Sequence, residues 1–61
     1  MANLTEKELS ALEDQLQFEQ VLIKKYKSYA GLAQDPQIRD VCNQLANQHK
    51  RHYDTLMGHL Q

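Results

Sequence analysis

The sequence predicts an all-α protein, an antiparallel two-helix hairpin that dimerises into a four-helix bundle. Three observations carry this expectation. Two long stretches place apolar residues three and four positions apart, the period of a helix buried along one face. They are separated by one short break, AQDPQ, at residues 33–37. The chain has only 61 residues, and two helices with one-sided stripes leave much of each stripe uncovered, so a second hairpin is the economical cover.

The first helix has a complete start signal in LTEKEL. Thr5 can cap the backbone, and Glu8 can reach back to close a capping box, with Leu4 and Leu9 placed as a hydrophobic staple. The helix is expected from about Glu6 to about Ala33. Its stripe is Leu9, Leu12, Leu16, Ile23, Tyr26, Ala30 and Ala33. At about 100° per residue, Glu19 falls near the middle of that stripe. Leu22 and Tyr29 flank it, and Lys7, Asp14, Lys25 and Ser28 form the polar side.

The turn is expected at residues 34–35. Asp35 is a good N-cap, and Pro36 suits the first helical position, where its missing N–H costs nothing. A join this short makes the helices antiparallel neighbours. The second helix is expected from Pro36 to about Leu60, with Ile38, Val41, Cys42, Leu45, Leu56 and Leu60 as its stripe. Between Leu45 and Leu56 the stripe positions hold His49 and His52, in the run QHKRHYDTL. His49 is central, His52 lies toward one edge and Tyr53 toward the other. Lys50, Arg51 and Asp54 point outward.

Composition narrows the function. The whole chain, residues 1–61, is one domain at most. A chain of this size buries only about 60% of the surface its unfolded form exposes, so it needs a staple or a partner. Cys42 is the only cysteine, which excludes an internal disulfide and fits a reducing, cytoplasmic setting. A metal, a partner chain, or both remain. The formal net charge is −1, from 7 basic and 8 acidic residues, so no field of one sign steers the chain to nucleic acid or an anionic membrane. No apolar run approaches the roughly 20 residues of a membrane span. The polar, acidic start MANLTEKELSALEDQ lacks the pattern of a secretory signal. A nucleic-acid-binding helix-turn-helix would need shorter helices and a different turn.

The two interruptions are expected to meet. Glu19 lies before the turn, and His49 and His52 after it, each at roughly 22–26 Å along its helix. A buried carboxylate costs several kcal/mol unless it is paired. Two arrangements satisfy it. One is a hydrogen-bonded Glu–His layer that fixes register, as buried polar groups do in coiled coils. The other is a divalent cation, since imidazole nitrogens and carboxylate oxygens suit Zn, Fe, Mn, Ni or Cu. Glu19, His49 and His52 are therefore the candidate metal ligands, with Zn or Fe as the expected ion. In a two-fold dimer with its axis at mid-length, the second chain's groups arrive at the same level.

A hairpin with one core glutamate on its first helix and a ligand pair at i and i+3 on its second resembles half of a ferritin-like bundle. Such bundles use a Glu from each of two helices and Glu-x-x-His from each of the others. Glu19 matches the lone glutamate and His52 the histidine. HYDTL, residues 52–56, resembles the His-Tyr-x-x-Leu run of short ferritin-like proteins. The similarity extends over about residues 5–60, and its nearest shape is the small helical-hairpin, spore-coat-type group of Gram-positive bacteria. It implies a spore-associated location and a larger protein assembly. His49 departs from the pattern, standing where the family has Glu. The lower ligand charge then favours a single softer cation, or one Zn per half-site, over a di-iron oxidase.

The remaining singular residues have plainer readings. His59 lies in the last turn, beside the exposed helix carbonyls. Tyr26 is a core residue with its hydroxyl at the rim, and Cys42 a small buried filler. In KKYKSY the tyrosines fall on the core side and the lysines outside. The expected function is a homodimeric bundle with a structural or interaction role and a transition-metal site in its core. The alternative is a metal-binding or vestigial di-metal oxidoreductase of the ferritin-like class. Catalysis ranks second, because the sequence shows neither an open coordination position nor an access route.

Overall fold

The computed structural model describes residues 4–60. Residues 1–3 and 61 of the expected domain lie outside the described residues. Two helices, α1 (Glu6–Leu32) and α2 (Pro36–Gly58), form an antiparallel hairpin. The result is a rod of 46 × 15 × 11 Å. No helix among the described residues is long and apolar enough to cross a membrane.

Each helix starts where its cap places it. Thr5 Oγ1 accepts from the Glu8 N–H at 3.1 Å, and Glu8 Oε1 accepts from the Thr5 N–H at 3.0 Å. This is the reciprocal capping box, which satisfies two backbone donors that the first turn leaves without helical partners. The Thr5 backbone N–H, helped by its hydroxyl, holds the Glu8 carboxyl below its ordinary range. At α2, Asp35 Oδ1 accepts from the N–H groups of Gln37 at 2.7 Å and Ile38 at 3.4 Å. The connection is Ala33, Gln34 and Asp35. Arg39 Nη2 donates to the Ala33 carbonyl at 3.1 Å, tying the end of α1 to the first turn of α2.

The helix ends fall short of expectation. α1 stops at Leu32, with Ala33 as an extended cap. α2 stops at Gly58 rather than near Leu60. Glycine is a poor helix former, and the His59 and Leu60 N–H groups turn back to the carbonyls of Leu56 and Met57. Such tight bonds close a last turn that cannot continue.

The core is thin. Its buried residues are Leu16 and Ala30 of α1 and Cys42 and Ala46 of α2, joined by one charged side chain, Glu19. Three expected core positions face water instead: Leu9, Ile38 (54% exposed) and Val41 (49%). Tyr29 is exposed as well. One partner helix covers only a narrow arc of its neighbour, so apolar residues away from the centre of each stripe remain uncovered. Ala46 was absent from the expected stripe and is among the most buried residues. A small side chain there lets the two backbones approach.

Candidate metal centre

The middle of the rod places Glu19 from α1 against His49 and His52 from α2. Glu19 sits on the inner arc and is 5% exposed. Its carboxylate is the meeting point. His49 Nδ1 donates to Glu19 Oε1 at 2.6 Å. Gln15 Nε2, one turn earlier on α1, donates to Oε2 at 3.4 Å. His52 Nδ1 lies 3.5 Å from the same Oε2. Among the described residues no buried side-chain nitrogen or oxygen lacks a partner. The carboxylate thus accepts hydrogen bonds from His49 across the hairpin and from Gln15 on its own helix, with His52 alongside.

Burial alone would raise the Glu19 carboxyl above its ordinary value of 4.5. Hydrogen bonds from His49 and Gln15, and the charge of the two histidines, outweigh that and hold it lower. The group is therefore an anion set deep in the helix interface, stabilised by the residues that share its level.

The imidazoles are held unequally. The Tyr26 ring stacks on His49 with centroids 5.7 Å apart and planes within 3°. His52 meets His49 edge-on, at 5.4 Å and 86°. The His49 side chain is 20% exposed and that of His52 59%. The expected dry layer of three groups is therefore corrected: Glu19 is dry, His49 half-buried, and His52 exposed. His52 lies on the edge of the α2 stripe, beyond the arc that α1 covers.

Each of the three residues offers a ligand atom, and these atoms lie within 4.8 Å of one another. That is close enough to hold a metal ion. The donor set, two imidazole nitrogens and one carboxylate oxygen, suits a divalent transition cation. A tetrahedral ion with bonds near 2.0–2.1 Å needs neighbouring ligand atoms roughly 3.3 Å apart. The Glu19–His49 pair must open slightly and His52 must close in, and its exposed side chain leaves it free to do so.

One access route exists that the sequence did not reveal. A groove of about 330 Å³, lined by Gln15, Glu19, His52, Thr55 and Leu56, opens the cluster to one flank of the rod. The opposite flank carries a second groove, where Gln20 Nε2 donates to Tyr53 Oη at 3.2 Å and Lys27, Lys50 and Asp54 form the wall. Sequence reasoning also missed the roles of Gln15 and Tyr26 around the cluster. Gln15 was legible in principle, because residues four apart share a helix face. The stacking of Tyr26 on His49 depends on the relative rotation of two helices, which no single-helix count supplies. No family model, curated protein or solved structure shows a significant match to this chain.

Proposed function

We propose that this chain is a metal-binding helical hairpin that works as a self-paired, ferritin-like four-helix bundle, with a structural rather than catalytic role. The observation that carries the reading is the convergence of Glu19, His49 and His52, from two helices, within 4.8 Å at mid-rod. Isolated acidic clusters are common on surfaces. A buried carboxylate facing two imidazoles is not an ordinary surface feature, because its burial has a cost that pairing must offset. The thin core supports pairing, since no large side chain among the described residues is fully buried. Zn or Fe is the expected ion. The similarity of HYDTL and of the Glu19/His52 placement to short ferritin-like proteins supports a spore-associated assembly as the setting.

A second reading is favoured by a specific observation. The cluster is already satisfied without a metal, through the bonds from His49 and Gln15 to Glu19. In that reading the layer sets helix register and nothing more. Elemental analysis of protein purified without an affinity tag, with thermal melts in added Zn(II) and Fe(II), separates the two. The metal reading expects bound transition metal and a raised melting temperature, both lost in Glu19→Gln. Metal-free protein whose melting temperature ignores both cations leaves only the register layer.

A further inference from the structure

We infer that the second copy of this chain seats on one particular flank of the hairpin, the flank onto which the Glu19–His52 groove opens. The inference rests on the self-paired bundle proposed above and assigns its interface. The two flanks differ in chemistry. From the groove residue Gln15, steps of three and four along α1 lead to Phe18, Leu22 and Tyr29. From the groove residues His52 and Thr55, the same steps back along α2 lead to Leu45, Val41 and Ile38. Phe18 is 55% exposed, and Tyr29, Ile38 and Val41 are also exposed large hydrophobics. The other flank's groove is lined by Gln20, Ile23 and Lys27 on α1 and by Lys50, Tyr53 and Asp54 on α2; Ile23 and Tyr53 are half-buried, and none of the six is an exposed large hydrophobic.

A hairpin needs one apolar seam per helix. A helix in a four-helix bundle needs a second, offset seam for its other neighbour. Both helices carry that second seam, and both carry it toward the same groove. The α2 row has no charged member from Ile38 to Thr55 apart from the imidazole of His52. On α1 the row contains one lysine, Lys25, whose ammonium lies over the Tyr26 and Tyr29 rings at 6.0 and 5.8 Å. Two-fold pairing brings a surface against itself, so a nearly uncharged surface is the one that pairs without like-charge contacts.

The area agrees with a second copy as the occupant. The hairpin exposes 4880 Å², where a compact monomer of its mass exposes about 4,100 Å². The excess of about 800 Å² marks a body less compact than a single globule of its mass. Two hairpins merged into one compact body would bury about 3,000 Å² in total by the same scaling, inside the 2,000–5,000 Å² range of obligate homodimers. The flank is also the open side of the cluster, so pairing would shelter His52, which the lone hairpin leaves in water.

The test is molar mass by sedimentation over a range of concentrations, for wild type, Phe18→Arg, Val41→Arg and the opposite-flank control Asn43→Arg. Wild type and Asn43→Arg are expected at twice the chain mass. The two apolar-flank variants are expected to dissociate at least 100-fold more readily. Because those variants can also unfold, the wild type is diluted in parallel while its NMR signals are followed. Shifts on dilution are expected at Leu22, Val41 and Leu45 and not at Lys27 or Asn43. A wild-type dimer that tolerates Val41→Arg, or whose dilution shifts fall on Lys27 and Asn43, overturns this interface and leaves self-pairing intact. A wild-type monomer at every concentration overturns self-pairing itself.

Discussion

His49 Nδ1 and Glu19 Oε1 are joined by a 2.6 Å hydrogen bond across 30 residues of sequence. It is a polar link between the middles of the two helices, and it ties the buried charged side chain of the described residues to a ring on which Tyr26 stacks. The same two atoms are candidate metal ligands. The proton between them therefore occupies the direction a cation would take. Loading the site with metal displaces that proton to Nε2 of a neutral ring and expels one from an imidazolium, so in acid solution binding is expected to release protons and to weaken as pH falls. Calorimetric titrations with Zn(II) in two buffers of different ionisation enthalpy measure the release directly. Equal apparent enthalpies in both buffers would show that no proton leaves.

Removing the carboxylate separates metal binding from stability. Glu19→Leu replaces a buried, paired ion with an apolar side chain of similar size. The exchange removes a buried charge but leaves the His49 Nδ1–H without its acceptor, and such an unsatisfied donor costs about 1–3 kcal/mol, so the variant should fall short of wild type by no more than that in metal-free buffer. Its response to Zn(II) should vanish. Loss of outer partners alone weakens metal sites by about 10–100-fold, and loss of a ligand exceeds that. A Glu19→Leu protein that still gains melting temperature with Zn(II) would place the metal elsewhere.

The acid limb of stability should carry the signature of Glu19. Its folded-state carboxyl is held below the ordinary value of 4.5. A depressed carboxyl contributes stability that is fully present above its unfolded value and is lost as pH falls through the lower folded value. Wild type should therefore lose stability relative to Glu19→Gln as metal-free samples are taken below about pH 4.5. The Glu8 carboxyl, also lowered, is common to both proteins and cancels in the difference. Denaturant midpoints for the two proteins between pH 6 and 3 check this. Parallel curves throughout would mean that the Glu19 carboxylate contributes no net stability.

Much of this arrangement was legible in the residues. Thr5 with Glu8, and Asp35 with Pro36, mark helix starts through local chemistry that tertiary packing rarely overrides. The short turn then makes a count of residues equivalent to a distance, which is why Glu19, His49 and His52 meet as expected. What the count lacks is rotation between helices. Ile38 and Val41 recur at the same period as Cys42, so one stripe was read although α1 covers only part of it. The same blindness placed His52 in the core, when it stands at the edge of the stripe, beyond the arc that α1 covers. Ala46 escaped because a methyl side chain adds little to an apolar pattern, although it is 3% exposed in the folded hairpin.

The α2 cap offers a local test of folding. Asp35 Oδ1 accepts from two backbone N–H groups, Gln37 and Ile38, beside a proline that cannot donate. Asp35→Ala should cost about 1 kcal/mol, equivalent to roughly 4–8 °C in melting temperature for a domain of this size. Asp35→Asn keeps an acceptor and should retain most of the stability. Equal losses in the two variants would point to the charge of Asp35 rather than its capping geometry.

The two histidines should separate cleanly, because one supports the fold and both would serve a metal. His49 carries the 2.6 Å bond to Glu19 and the stack with Tyr26. His49→Ala strips the buried carboxylate of its best donor, and leaving such a group short of partners costs about 1–3 kcal/mol. His52 is mostly exposed and lies at 3.5 Å from Glu19. Its removal takes away a contact in water, so His52→Ala should unfold within about 0.5 kcal/mol of wild type in metal-free buffer. Both variants should nevertheless lose most of the Zn(II)-induced rise in melting temperature, since each removes one of three ligands. A His52→Ala protein that keeps the full rise would reduce the site to Glu19 and His49, too few protein ligands for a transition-metal centre. Thermal melts of the three proteins, each with and without Zn(II), supply all the comparisons, and chelator-treated samples fix the baseline.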